Sequence, residues 1–578
     1  MEQTPKKATP EEIEEEHVGI RTRVKRFFQR FELTSETPQN LLTAGLWQIM
    51  GTLIASIMAW LLVVIISRDD IGIGAGGVGI FNSAFAFFGL FSLLTVGLGK
   101  ATSQIVSENI SDKRVAFEHA RNGTFITILT GIFIGIGLIL GSFFIANPLI
   151  FQDTIMGRLS STLFIIGIVM LVTGFRDGLI SNLAAVGEYD EIAKGYMTFP
   201  LFQLLSGIII IILIQVIGIS VVLILIVYIF GIVTQTLILF RSFRRLWFNA
   251  QIFQFTKVDR RAFKILRQGV YFAITDIIPV GLLGSVTVII ILAFTGNYQV
   301  VGAYSIILGY SFGGLMVTGF VWPLITSVAE AYGQKNTERI KFYLNLIVKI
   351  FFYLTFLILA VILSLSRGII LLFHGDTYLT GSTDVWVPFM LVITGFSVAG
   401  FEYIICGVLL GVGKGRPAAV YLGSIFLITI GLSSLFLWLG IFSPQINAGL
   451  GFLIGTIIML PILPYLIRKH IKQDIPWSIG LRSFAALGCT LLIGVLLVWP
   501  PWELIPLTNL FFFLLVAVLL GFIYGVLLIF FGAISQEDLD LIEKKAEEYG
   551  LTGIVGPLLS LFRKIMRISP FVKSTNEK

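Results

Sequence analysis

The chain has 578 residues, of which 56% are hydrophobic and 13% charged, with a formal net charge of +7. Soluble domains average about 45–50% apolar and about 25% charged residues, so this composition excludes an ordinary soluble domain and predicts an integral membrane protein. Two cysteines, Cys406 and Cys489, both inside apolar runs, imply no disulfide framework, and four scattered histidines imply no metal site.

Residues 1–42 are polar, with nothing that resembles a cleavable leader before the first apolar run near Thr43. Within them, residues 10–33 place Ile20, Val24, Phe27, Phe28 and Phe31 on one stripe among Arg and Lys. That pattern predicts a helix lying on an anionic membrane surface.

Fourteen apolar runs follow, each long enough to cross about 30 Å of hydrocarbon, which takes about 20 helical residues. They cover 43–67, 76–99, 123–146, 159–186, 196–217, 219–241, 267–295, 300–328, 345–366, 385–412, 417–440, 447–467, 480–499 and 508–533. All are too long for barrel strands, so the expected class is all-α. With residues 1–42 in the cytoplasm, 37 of the 41 basic residues fall on the inner side. Only Arg68, Arg158 and Arg367 fall outside, and Arg176 lies within helix 4. This asymmetry predicts both termini in the cytoplasm and, with the rest of the pattern, a plasma-membrane protein.

The chain repeats itself. Residues 175–187 (FRDGLISNLAAVG) recur as 401–413 (FEYIICGVLLGVG), and a step of 226 pairs Phe175 with Phe401, Leu183 with Leu409, Val186 with Val412 and Gly187 with Gly413. Gly45 matches Gly269, and a step of 222 pairs Val106, Glu108 and Lys113 with Val328, Glu330 and Lys335. Helices 1–6 (43–241) and 7–12 (267–467) therefore read as two six-helix bundles. An even number of crossings gives them one orientation and a pseudo-two-fold axis along the membrane normal. The basic segment 242–266 links them. Helices 13 and 14 (480–533) have no counterpart in the repeat. In the tail 534–578, Ser535 is placed to cap a helix with Asp538 at its third position, and an amphipathic basic segment follows.

No nucleotide-binding loop, HExxH motif or assembled nucleophile is present, which argues against an enzyme. The ionisable residues inside the spans carry more information. Arg176 and Glu402 each lie about 11 residues, roughly 16 Å, from the cytoplasmic ends of helices 4 and 10. Asp177 follows Arg176, and Asp276 lies about 9 residues into helix 7 by the same measure of helical rise. Charge at the bilayer midplane faces a partner or a watery cavity, and midplane sites on a repeat axis are where secondary transporters bind substrate and coupling ion. Two readings stand side by side: a structural ion pair such as Arg176 with Glu402, or a transport site whose surplus carboxylates take up a proton or a cation. Gln48, Asn82, Gln203 and Gln235 line a cavity or bond between helices, and Lys100 sits at the expected end of helix 2, where headgroup solvation is the ordinary state. Pro200, Pro279, Pro323 and Pro388 interrupt helices 5, 7, 8 and 10, as plain kinks or as bends used in gating.

Fourteen spans, the six-plus-six repeat, two extra helices and the segments GLGKATSQIVSEN (97–109) and VWPLITSVAEAYG (321–333) together resemble the MOP flippase superfamily. Within it the chain is most similar to the polysaccharide transporters, the Wzx- and MurJ-like flippases of lipid-linked sugars. The resemblance covers about residues 40–533. It implies alternating access between two lobes, with a polyprenyl-linked oligosaccharide as substrate, membrane lipids and glycan-assembly proteins as partners, and no nucleic acid. MurJ-like members carry cavity arginines on helices 1, 2 and 8, which this chain lacks, so headgroup recognition would rest on Arg176, Asp177, Gln48 and Lys100. The sister branch, the MATE exporters of amphiphilic or cationic small molecules, holds a coupling cation on carboxylates of helices 7 and 10. Asp276 and Glu402 fall on those helices, which implies a Na⁺ or H⁺ site there and no other cofactor. MATE exporters usually have twelve spans.

Overall fold

The computed structural model describes residues 39–573, apart from 68–71, 73, 110–111, 149–154, 218–219, 245–259, 278–281, 311–315, 382–383, 499–509 and 549–551. The surface helix expected within 10–33 and most of the linker lie outside the described residues. Every regular element that is described is helical.

The first half holds α1 (Gln39–Ser67), α2 (Gly74–Glu108), α3 (Lys113–Ile145), α4 (Ile155–Ala185), α5 (Tyr189–Ile217) and α6 (Val227–Phe243). The second half starts with two broken helices. Helix 7 is α7a (Arg261–Thr275) and α7b (Leu282–Thr295), and helix 8 is α8a (Tyr298–Gly309) and α8b (Val321–Gly333). Then come α9 (Thr337–Ser364), α10 (Trp386–Gly411), α11 (Gly415–Leu439) and α12 (Pro444–Met459), which runs on to Ile471. Twelve helices among the described residues are long and apolar enough to cross a membrane, and α7b and α8a supply the shorter apolar pieces.

The spans over 267–295 and 300–328 are thus each in two pieces, where the sequence placed interruptions at Pro279 and Pro323, and α7a starts at Arg261. The sequence contains the reason. A proline ring clashes with the carbonyl four residues back. For Pro279 that residue is Thr275, where α7a ends. For Pro323 it is Gly319, and the chain there runs as a 3-10 stretch over Met316–Phe320 before α8b begins. The other two prolines interrupt nothing: Pro388 sits in the first turn of α10, and α5 continues through Pro200.

The internal repeat persists in the packing. In the first half α2 packs on α4, α4 on α6, α5 on α6 and α1 on α5; in the second, α8b packs on α10, α10 on α12, α11 on α12 and α7a on α11. It also persists in single hydrogen bonds. After α4, Gly187 N donates to Ala184 O and Glu188 N to Leu183 O; after α10, Gly413 N donates to Leu410 O and Lys414 N to Leu409 O. Both glycines have positive φ, 86° and 73°, which a side chain would resist. Each partner in one set is 226 positions from its partner in the other.

The halves meet along a seam of α1 and α2 against the broken helices 7 and 8. Gly97 makes this approach possible, since a Cβ there would stand 2.4 Å from the backbone N of Ala273. Arg114, Lys194, Arg244, Arg339, Lys414 and Arg468 mark one end of the bundle, the basic end.

Beyond the repeat, α13 (Trp477–Val498) and α14 (Leu510–Phe530) pack on α9. The tail folds back beneath them as α15 (Gln536–Glu548) and α16 (Thr552–Ile568). Ser535 and Asp538 form the expected reciprocal cap, with Ser535 N donating to Asp538 Oδ2 at 2.9 Å and Asp538 N to Ser535 Oγ at 3.3 Å. Lys349 on α9 then holds Asp538 at 2.8 Å.

Candidate functional site

The break in helix 7 presents a carboxylate to the seam. Asp276 is the first residue past α7a, fully buried, with its own N–H bonded to Phe272 O. Across the seam, α2 runs unbroken to Glu108, so Lys100 is an interior residue and not the helix end that the sequence suggested. Its side chain is 9% exposed, and its Nζ lies 2.7 Å from Asp276 Oδ1. The ammonium also donates to the Tyr403 hydroxyl at 2.8 Å, and that hydroxyl donates to Asp276 Oδ1 at 2.7 Å. The Trp322 ring lies beneath the ammonium, 5.4 Å from centroid to Nζ, within the range of a cation–π contact.

More polar bonds tie the halves together near this pair. Trp322 Nε1 donates to Ser103 Oγ at 2.8 Å, Gln104 Nε2 donates to Leu410 O at 3.1 Å, and Gln268 Nε2 donates to Gln104 Oε1. Tyr189 OH and Thr326 Oγ1 lie 2.7 Å apart. At the other end, the buried His374 ring bridges the seam, with Nδ1 3.0 Å from Ser67 Oγ and Nε2 2.9 Å from Tyr310 OH. Ser67 ends α1, whereas Tyr310 follows α8a.

Arg176 and Glu402, equivalent positions of the repeat, do not pair, and the ion pair that the sequence offered between them is replaced by separate arrangements. Arg176 turns to its neighbour, with Nε 2.8 Å from Asp177 Oδ1, and reaches Gln235 Oε1 at 3.4 Å. Its guanidinium lies 6.0 Å from the centre of the Phe88 ring. Glu402 faces the interior of the second half. It is fully buried, its Oε1 accepts from Tyr421 OH at 2.7 Å, and its Oε2 has no partner among the described residues. One residue on, Tyr403 points to the seam, because successive residues on a helix point about 100° apart.

Thus Lys100 and Asp276 come together, as do Arg176 and Asp177, and Tyr196 on α5 lies within electrostatic reach of Arg176, Asp177 and Asp276. Gln48 is buried beside this group with Oε1 unpartnered. Glu402 stands apart from all of them. Tyr403, Trp322 and Tyr421 were not singled out in the sequence, where an aromatic ring in an apolar helix reads as lipid-facing. The available signal was their closeness to buried charge: Tyr403 adjoins Glu402, and Trp322 lies in a segment that aligns with the Lys100 segment.

The two buried carboxyls are therefore in different electrostatic states. One buried carboxyl is already neutralised by a lysine from the opposite half, and another has no basic partner among the described residues. A carboxylate without such a partner in an apolar interior takes a proton or a cation.

A family profile described as MatE matches residues 280–435. No curated protein matches the sequence. Among solved structures, the chain is similar to a multidrug resistance MATE family transporter of the MOP superfamily in its outward-facing conformation. The identity is 15%, the match covers 77% of this chain and 97% of that one, and the TM-score is 0.61. A MATE crystal structure in complex with MaD3S matches at 16% identity over 75% of this chain and 96% of that one, with TM-score 0.59. A MOP superfamily transporter from Pyrococcus furiosus Vc1 (DSM3638), described as having a binding pocket of reverse polarity that suggests a different function, matches at 16% identity. That match covers 75% of this chain and 97% of the other, with TM-score 0.55. The fold is that of these structures. They are covered almost whole, whereas about a quarter of this chain lies beyond them.

Proposed function

We propose that this chain is a secondary active transporter that moves an amphiphilic or cationic small molecule across the membrane by alternating access, in exchange for a proton or Na⁺. Glu402 is its coupling carboxyl. The observation that carries this reading is the state of Glu402: fully buried, one oxygen on Tyr421, the other unpartnered. Asp177 and Asp276 also leave one oxygen unpartnered, but each has a basic residue on the other, whereas Glu402 has only the Tyr421 hydroxyl and would be neutralised by a proton or a cation. The MatE profile and the MATE-like fold support the same class. In this reading the basic end is cytoplasmic, as the positive-inside rule supports, with both termini on that side and the plasma membrane as the compartment.

A second reading, a flippase of a lipid-linked oligosaccharide serving glycan assembly, is favoured by one observation. Helices α13 and α14 lie outside the six-plus-six repeat and pack on α9, which gives the two extra helices that the flippase resemblance implies. Arg176, Lys100 and Gln48 would then meet the headgroup.

Ligand-dependent melting of the purified protein separates the two, because a ligand bound only by the folded state raises the apparent melting temperature. Stabilisation by lipophilic cationic dyes and not by polyprenyl-diphosphate sugars is expected. Stabilisation by the lipid-linked sugar alone, lost in Arg176→Ala, would replace the exporter reading with the flippase.

A further inference from the structure

The three groups that hold the Lys100 ammonium all belong to the second half, and the lysine alone belongs to the first. Asp276 follows α7a, Trp322 lies on α8b and Tyr403 on α10. We infer that Asp276, Tyr403 and Trp322 form a receptor for the protonated amine of the cargo. Lys100 is its tethered surrogate, seated while the halves meet at the basic end and withdrawn when they part. This rests on the alternating-access reading above and names the chemistry of one cargo site within it.

The argument follows the charge. If the halves separate at this end, α2 carries Lys100 away and leaves the Asp276 carboxylate with the Tyr403 hydroxyl as its one hydrogen-bond partner among the described residues. Its Oδ2 has no partner even now. A fully buried carboxylate in that state needs a replacement cation. The site has the form of the group it holds: two oxygen acceptors at 2.7 and 2.8 Å from one nitrogen, and an aromatic ring beneath it. A primary ammonium meets both acceptors and the ring together, while the unpartnered Oδ2 remains for a further N–H. Tyr403 contributes through its hydroxyl and not through its ring face, since the ammonium stands at the oxygen. An anionic cargo would meet the opposite demand. It would need Lys100 free and would itself be repelled by Asp276.

The test is equilibrium binding to the full chain in lipid nanodiscs, with 4-phenylbutylamine as probe and neutral 4-phenylbutanol and anionic 4-phenylbutyl phosphate as comparisons. Removing the surrogate in Lys100→Gln is expected to tighten amine binding at least tenfold, with no gain for the alcohol. Trp322→Leu placed on Lys100→Gln is expected to weaken it again, and Asp276→Asn to abolish it. Should Lys100→Gln fail to fold, the wild-type protein with ¹⁵N-labelled lysine gives a second reading: amine binding expels Lys100 and shifts its ammonium NMR signal, and the alcohol does not. Unchanged amine affinity in Lys100→Gln would overturn the inference. So would a wild-type protein that binds the phosphate through Lys100, or a variant stabilised by Na⁺ but not by the amine. No transport step enters the measurement, so a failed Glu402 coupling experiment leaves this result interpretable by itself.

Discussion

The two halves are built on one plan but treat charge differently. The same helices neighbour one another in each, and α4 and α10 end in the same pair of hydrogen bonds around Gly187 and Gly413. Yet α1 and α2 run unbroken, whereas helices 7 and 8 are each in two pieces. At equivalent positions the first half places Arg176, compensated within its own half by Asp177, and the second places Glu402, which has no basic partner among the described residues. The surroundings differ too. Helix α3 is largely open to the membrane, with Phe133 68% and Phe144 90% exposed, while α9 is covered by α13 and α14. Under the proposed function the first half is the scaffold and the second the working part, since broken helices can bring backbone and charge to a midplane site.

The largest effects should separate Arg176 from Glu402. Arg176→Ala leaves Asp177 buried and unpaired, and breaking such a pair costs about 3–5 kcal/mol. Glu402→Gln removes a charge that had no basic partner, so stability should hold or rise. Thermal melting in a single detergent checks both, and equal losses from the two variants would erase the distinction between the halves.

Next in size is the bridge at His374. Burial pushes its imidazole down to about 3, so the closed state holds a neutral ring. An opened or unfolded state takes up a proton below about 6.5, the ordinary value. The contribution of the bridge is therefore complete above that pH and declines by about 1.4 kcal/mol for each unit of acidification towards pH 3. Melting between pH 7.5 and 5 should show this slope in the wild type and not in His374→Phe.

A smaller loss tests the seam itself. Gly97→Ala puts a methyl group 2.4 Å from Ala273 N, where helix backbones and not flexible side chains must give way. Overpacking of this kind costs about 1–3 kcal/mol. Crosslinking between α2 and α7a should fall in the variant; unaltered crosslinking would mean the close approach is dispensable.

The smallest effect concerns the additions to the second half. Asp538 caps α15 and holds Lys349. Burial pushes its carboxyl up, but Lys349 and the Ser535 backbone and hydroxyl pull it further down, so its pKa falls below the usual value. Its contribution is present at neutral pH and lost as pH falls below about 4. Asp538→Ala should cost about 1 kcal/mol and speed proteolysis of the tail, without altering cargo binding.

Much of this was legible in the sequence. The spans followed from hydrophobic length, the repeat from the two glycine-terminated segments, and the tail cap from Ser535 and Asp538. Interruptions of helices 7 and 8 were expected at their prolines, but not that each helix divides into two pieces, because hydropathy counts apolar residues and does not register a lost backbone bond. Pro279 and Pro323 carried that signal. Lys100 was misplaced for a related reason: its own charge ended the apolar run, although the helix continued two more turns. Its partners were hidden because a seam between distant segments has no local pattern.

In the proposed function Glu402 couples ion flow to cargo movement. The most direct test of that coupling is proteoliposomes loaded with a fluorescent amphiphilic cation and given a proton or Na⁺ gradient, with wild type and Glu402→Gln side by side. Gradient-driven movement by the wild type and only gradient-independent exchange by the variant are expected. Gradient-driven movement at the same rate in both would contradict it.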